Sequence, residues 1–169
     1  MNVDKTNIIA KAVALGKETG YVDVVRVAND LNIAVLAAPF EDSFNAQISF
    51  TPENGYELLV NENHPIGRQR FSIAHELGHF ILHNTEIVEL GKLNRDGDSI
   101  MEEEADALAA EILMPKELIE DYIRNENEDT EVISKSLIEK IADKFKVSRV
   151  VAIIRLRELD YYVPFISLS

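Results

Sequence analysis

The 169-residue sequence contains no cysteine and no tryptophan, and it has only five prolines and seven glycines. Without cysteine there is no disulfide bond, thiolate metal ligand or cysteine nucleophile, which suits a reducing compartment. Long apolar runs are also missing: the longest aliphatic stretch, VVAII at 150–154, is far too short to span a bilayer. The N-terminal residues lack the apolar core of a signal peptide. These absences predict a cytoplasmic protein that does not act at a membrane.

Basic residues are scarce, with 17 Lys and Arg against 30 Asp and Glu and a formal net charge of −13. Such an excess of negative charge repels nucleic acid and anionic membranes. The charge is uneven, because residues 134–160 carry seven basic and four acidic residues, whereas the rest of the chain carries ten and twenty-six. The acidic body favours a basic protein partner over direct nucleic-acid binding.

Hydrophobic periodicity and turn residues predict an α+β fold. We expect a small, mostly antiparallel three-stranded sheet packed on a central helix and further helices, with a hairpin turn at Asn54-Gly55. The expected helices are 5–18, 22–31, 67–83, 99–113, 115–124, 134–145 and 148–159, and the expected strands are 32–38, 46–51 and 56–62.

Three of the four histidines lie in one stretch, FSIAHELGHFILH at 71–83, where His75, Glu76 and His79 form the pattern H-E-x-x-H. Helix positions four apart lie on one face, about 6 Å apart along the axis, so the two imidazoles can bind one ion. Zinc suits neutral imidazole ligands. Glu76 points round the helix, from where a general base reaches a water on the ion. A chance match is the alternative interpretation.

A catalytic zinc site needs a third protein ligand. His83 lies about 12 Å from His75 along a straight helix and cannot bind the same ion. The longer motif with a third histidine is excluded, because it would place that histidine at Thr85. A carboxylate from the second long helix remains. Glu102 is the predicted ligand, and Asp106, one turn later, is the predicted acceptor for the second ring N–H of a zinc histidine.

The neighbouring Glu103 and Glu104 are interpreted as a solvated acidic first turn, which favours a helix N-terminus. Glu102 taken alone would have the same interpretation. The H-E-x-x-H motif upstream favours its role as a metal ligand instead. A stripe of small and aliphatic residues is expected to pack this helix closely on the first; it consists of Ala105, Leu108, Ala109, Ile112 and Leu113.

Three stretches together resemble the ImmA/IrrE family of metallopeptidases: RQRFSIAHELGHFILH at 68–83, EEEADALAAEILMP at 102–115, and the preceding strand YELLVNENHP. The resemblance implies a small sheet, an H-E-x-x-H helix and a glutamate ligand on the following helix, as in thermolysin-like gluzincins. It implies one zinc ion on His75, His79 and Glu102, with Glu76 as general base. The family often has asparagine where this chain has Asp106.

The resemblance also implies a substrate or partner: Xre-type helix-turn-helix repressors of mobile elements, stress responses and toxin–antitoxin pairs. Peptide hydrolysis further needs a donor for the tetrahedral oxyanion. His83 is the candidate transition-state stabiliser, and His64, Tyr56 and Tyr122 are alternatives that spacing does not separate. A sheet-edge strand at 56–62 could bind extended substrate by strand addition, although an ordinary hairpin strand is the preferred interpretation.

The acidic stretch NENEDTE at 125–131 is the expected boundary between a zincin-like metallopeptidase domain, residues 1–124, and a C-terminal helical region, residues 125–169. That region has the sequence pattern of a helix-turn-helix, with Ser148 as the N-cap of its second helix. A DNA-reading helix exposes polar side chains early, whereas this one begins RVVAII. We therefore expect it to be buried on nearly every side, packing on the body or docking a partner.

Three hypotheses follow from these features. The leading one is a zinc metallopeptidase specific for a regulatory protein. The second is a non-proteolytic partner of such a regulator, and the third, a direct transcription factor, is disfavoured by charge. Retention of Glu76 favours the first over the second, because zinc binding alone needs no base.

Overall fold

The computed structural model describes residues 4–83, 99–126 and 132–164. Within these ranges it contains seven helices and three strands, so the α+β class is confirmed. In chain order they are α1 (Lys5–Thr19), α2 (Val24–Asp30), β1 (Ile33–Ala38), β2 (Ala46–Thr51), β3 (Gly55–Asn61), α3 (Ile66–Leu82), α4 (Ser99–Leu113), α5 (Lys116–Asn125), α6 (Lys135–Phe145) and α7 (Arg149–Glu158). The acidic segment at 127–131 lies outside the described residues.

Side-chain caps fix where several helices begin. The carboxylate of Asp4 accepts a hydrogen bond from Thr6 N–H at 2.9 Å, and the hydroxyl of Ser134 accepts one from Leu137 N–H at 3.1 Å. Such caps satisfy amide groups that have no partner inside the helix. Helix α1 ends at Gly20, whose φ of 87° is the left-handed conformation that glycine adopts without strain.

The three strands form a sheet in the order β1-β3-β2. The predicted hairpin is confirmed, since β2 and β3 are antiparallel and Thr51 pairs with Gly55. The prediction of a mostly antiparallel sheet is wrong, because β1 and β3 pair in parallel along their whole length. The chain reverses direction twice between β1 and β3, and β3 then inserts between the other two strands. The strand predicted at 56–62 is therefore central, and the sheet edges are β1 and β2.

Helix α3 lies on the sheet against β2 and β3, and α4 packs along α3 in the most extensive helix–helix contact of the described residues. All five members of the predicted apolar stripe on α4 are buried. Burying aliphatic side chains is the main favourable contribution to such packing. The two long helices are thereby held side by side.

Helices α6 and α7 share one hydrophobic core with the rest of the protein, through side chains such as Phe145 and Leu156. The buried guanidinium of Arg155 donates to the carbonyl of Met114 at 3.2 Å, which ties α7 to the end of α4. The expectation that α7 is buried on nearly every side is wrong at Val150 and Ile154, which are 45% and 49% exposed. Helix α7 packs on α6 and α4 and leaves these two side chains exposed.

No helix among the described residues combines the length and apolar composition required to cross a membrane.

Candidate metal centre

The structure brings His75, His79 and Glu102 together. The two histidines lie one turn apart on α3, and their Nε2 atoms are 3.0 Å apart. Glu102 lies in the first turn of α4, with one carboxylate oxygen 3.3 Å from His75 Nε2 and the other 3.2 Å from His79 Nε2. The three side chains thus point their donor atoms at one place between two helices.

These separations fit a tetrahedral zinc ion. Ligands about 2.0–2.1 Å from such an ion lie about 3.3 Å from one another, close to the three measured distances. Two imidazoles and one carboxylate form a donor set of the catalytic type, which leaves one coordination position open. By geometry and by chemistry, these residues fit the ion that the motif predicts.

The second ring nitrogen of His75 lies against the carboxylate of Asp106. Its Nδ1 lies 2.7 Å from a carboxylate oxygen of Asp106 on α4. Because the carboxylate can only accept, the imidazole donates from Nδ1 and its Nε2 carries the lone pair. Burial, together with the nearby His75, lowers the pKa of His79 to about 4. His79 is therefore neutral near pH 7, which is the state required of a ligand.

His83 lies behind His79. Its Nδ1 is 3.3 Å from the Nδ1 of His79, on the side of that ring opposite the cluster, and its Nε2 is 3.2 Å from a carboxylate oxygen of Glu104. This position does not favour the predicted role as transition-state stabiliser. The interpretation of Glu104 as a purely solvated residue is wrong, because it pairs with His83. The available signal was the four-residue spacing from His79 to His83, the same spacing that joins the two predicted ligands.

Glu76 is 2% exposed, and its carboxylate accepts a hydrogen bond from the backbone N–H of Ile48 on β2 at 3.0 Å. It lines an open cavity of about 190 Å³ together with His75 and Glu102. The remaining lining residues are Asn45, Phe71, Ser72 and Asp106. The predicted base and two predicted ligands therefore line one cleft, and the base is hydrogen-bonded to the edge strand β2.

None of the four candidate oxyanion donors lines this cavity. His64 is buried beside the carbonyl of Asp42, 3.2 Å away. Tyr56 packs edge-on against Phe80, and Tyr122 lies against Phe145.

Polar residues that sequence reasoning missed shape the cleft instead. Asn45 lines it, and its side-chain oxygen accepts from Arg68 Nε at 3.0 Å. The fully buried Asn61 supports the loop before β2, since its amide donates to the carbonyls of Glu41 and Phe44, each at 3.0 Å. The only signal for Asn61 was an asparagine at the end of an apolar strand.

Helices α3 and α4 approach closely at Gly78. A Cβ atom at this position would lie 2.8 Å from the carbonyl oxygen of Ala105 and 3.0 Å from its Cα. Both neighbours are backbone atoms, so the contact cannot be relieved by a side-chain rotation. Only glycine allows the spacing that sets Glu102 beside the two imidazoles.

The mixed sheet and the His-His-Glu cluster between two helices define an α+β protein with a candidate divalent-cation site. The chain belongs to the Peptidase_M78 family, the IrrE N-terminal-like domain, whose profile matches residues 28–157. The family is one of metallopeptidases, and the predicted resemblance to the ImmA/IrrE family is confirmed.

Solved structures of similar fold include a transcriptional regulator from Mycobacterium tuberculosis, with a TM-score of 0.57 and 16% sequence identity. The superposition covers 89% of this chain and 46% of that chain, so this protein spans less than half of the regulator's length. A likeness at this identity concerns the fold alone. The search of curated proteins found no match.

Proposed function

We propose that this protein is a zinc-dependent metallo-endopeptidase that cuts a specific regulatory protein, such as a helix-turn-helix repressor. The observation that carries the proposal is the cleft itself. There, donor atoms of three side chains lie 3.0–3.3 Å apart, beside a buried glutamate that does not belong to the donor set. A site used only to hold a cation has no need of that glutamate.

In this proposal His75, His79 and Glu102 hold the ion, and Asp106 fixes the tautomer of His75. Zinc bound by such donors supplies polarisation of the peptide carbonyl and acidification of water. Glu76 accepts the proton of the attacking water and transfers it to the leaving amine. The hydrogen bond from Ile48 N–H holds the carboxylate in place during both transfers. Asn45 and Ser72 are the polar lining residues that remain for contact with the oxyanion.

The substrate segment binds along β2. The N–H of Ile48 points away from β3 and toward Glu76, so the outer edge of β2 faces the cleft. An extended peptide added to this edge would place its backbone beside the base. The strand first considered for this role, 56–62, is central and has no free edge.

A basic substrate suits the charge of the protein. The net charge of −13 attracts a DNA-binding repressor and raises its association rate. Association should therefore weaken as salt is added. The same charge disfavours direct binding of nucleic acid.

Metal dependence of cleavage tests the proposed function. The purified protein is incubated with a candidate helix-turn-helix repressor, and the products are identified by mass spectrometry. We expect cleavage at a defined bond, its loss after chelation and its return when zinc is added. A repressor that binds tightly and stays intact under inducing conditions would instead support the non-proteolytic partner.

We further assign His83 and Glu104 as positioning residues for His79. If His79 binds the ion through Nε2, its Nδ1–H donates to His83 Nδ1, and His83 then donates from Nε2 to Glu104. Glu104→Gln and His83→Gln should each weaken zinc binding by about 10–100-fold, the effect typical of such partners. Zinc affinity is measured by competition with a chromophoric chelator.

Glu103→Gln is the matched control, because it removes one negative charge from the same helical turn without contacting His83. Equal loss of zinc affinity in Glu103→Gln and Glu104→Gln would mean that general electrostatics, and not the contact with His83, is responsible.

A further inference from the structure

A second groove lies beside the metal centre, between α3, α4 and α7. Its volume is about 370 Å³. Its apolar wall consists of Phe71 on α3, Ala107 and Ala110 on α4, and Val151 and Ile154 on α7. Ile154 keeps 49% of its surface exposed although it is aliphatic. Exposed apolar surface of this kind, bordered by polar residues, marks binding sites.

The groove adjoins the metal cleft. Phe71 and Asp106 line both cavities, so a peptide bound at the metal centre would lie next to the groove. The volume is sufficient for one large aliphatic or aromatic side chain.

The rim of the groove is acidic. Glu103, Asp106 and Glu158 line it, and no Lys or Arg does. Glu158 is paired with Arg155 at 3.2 Å, so its charge is largely compensated. Glu103 and Asp106 therefore give the rim its negative charge, which attracts lysine or arginine beside the residue that fills the groove.

We propose that this groove is the main specificity site of the protein and that it binds a large apolar side chain flanked by basic residues in the substrate segment. The inference rests on the proposed peptidase function and adds the substrate class. It also assigns a role to the exposed face of α7, as one wall of the site.

Two exposed residues of α7 provide a matched test. Ile154 lines the groove, whereas Val150, one turn earlier and 45% exposed, does not. The zinc-loaded wild type is incubated with a mixture of peptides of random sequence, and the residues on both sides of each cleaved bond are read by mass spectrometry. We expect one position to prefer large apolar residues and a neighbouring position to prefer Lys or Arg.

Ile154→Ser should lower cleavage of the preferred peptides by about tenfold, since loss of hydrophobic contact in a pocket has effects of that size. Val150→Ser should match the wild type. Ala107→Phe, which fills the groove from an exposed position, should shift the preference toward Gly and Ala. Ala10→Phe, at an exposed helical position on α1, is its control. Cleavage with no apolar preference, or with an unchanged preference in both groove variants, would overturn the inference and leave the peptidase function standing.

A binding experiment separates this inference from the proposed function. Two labelled decapeptides, one with Lys-Leu-Lys and one with Lys-Ser-Lys at the centre, are titrated against the Glu76→Gln variant by fluorescence anisotropy. Tighter binding of the leucine peptide, lost in Glu76→Gln combined with Ile154→Ser but kept with Val150→Ser, supports the groove even if no peptide is ever cut. Equal binding of both peptides counts against it.

Discussion

Glu76→Gln should abolish most peptide cleavage while leaving zinc bound. Removing a general base lowers the rate by about 10²–10⁴-fold. Glutamine has the same shape, and its oxygen can still accept the hydrogen bond from Ile48 N–H, 3.0 Å away in the wild type. It cannot accept a proton from water. Because Glu76 is not one of the three grouped donors, the metal content should stay at that of the wild type.

The measurement combines the amount of zinc per protein with the initial rate of repressor cleavage. Glu62→Gln, an exposed acid in the loop between β3 and α3, is the control for loss of one negative charge. Undiminished cleavage by Glu76→Gln would exclude this residue as the base. Loss of zinc together with activity would show that Glu76 supports the metal site instead of acting on water.

Gly78→Ala should destabilise the protein and weaken its zinc binding at the same time. The added methyl group would lie 2.8 Å from the carbonyl oxygen of Ala105, so α3 and α4 must move apart. Overpacking of this kind costs about 1–3 kcal/mol. The displacement would carry Glu102 away from the imidazoles and weaken zinc binding. Shifts of about 1 Å in such sites also reduce catalytic rates by about 10²-fold.

Gly67→Ala is the matched control on the same helix. A Cβ at Gly67 meets its nearest neighbour, the carbonyl oxygen of Lys146, at 3.7 Å, which is ordinary contact. Helix propensity favours alanine over glycine by about 1 kcal/mol, so this variant should be at least as stable as the wild type. The free energies of unfolding are compared by urea denaturation, and zinc affinities by chelator competition. Equal stability of the two variants would contradict the role given to the close helix contact.

The helices and strands were predictable because their signals are local. The four-residue spacing that predicts an amphipathic helix also places His75 and His79 on one face, so two of the three candidate ligands follow from the period of a helix. The third donor, Glu102, required the further inference that two apolar stripes pack against each other. The burial of the predicted stripe on α4 satisfies that condition.

The order of the strands could not be read from the sequence. The hairpin at Asn54-Gly55 is a local signal, but the insertion of β3 between β1 and β2 depends on contacts between distant segments. The sequence therefore could not show that the strand at 56–62 is central and that β2 forms an edge of the sheet. The side-chain hydrogen bonds could not be predicted for a related reason. Those of Asn61 reach loop carbonyls up to 21 residues away, and no spacing rule predicts such contacts.

The two candidate imidazole ligands lie on α3 and the candidate carboxylate ligand lies on α4, so a bound cation would be coupled to the fold. A cation held by both helices acts as a crosslink that exists only in the native chain. Such a ligand stabilises the native state by about 2.7 kcal/mol when its free concentration is about 100 times its dissociation constant. The free zinc concentration would then determine both the activity of this protein and its resistance to unfolding and proteolysis.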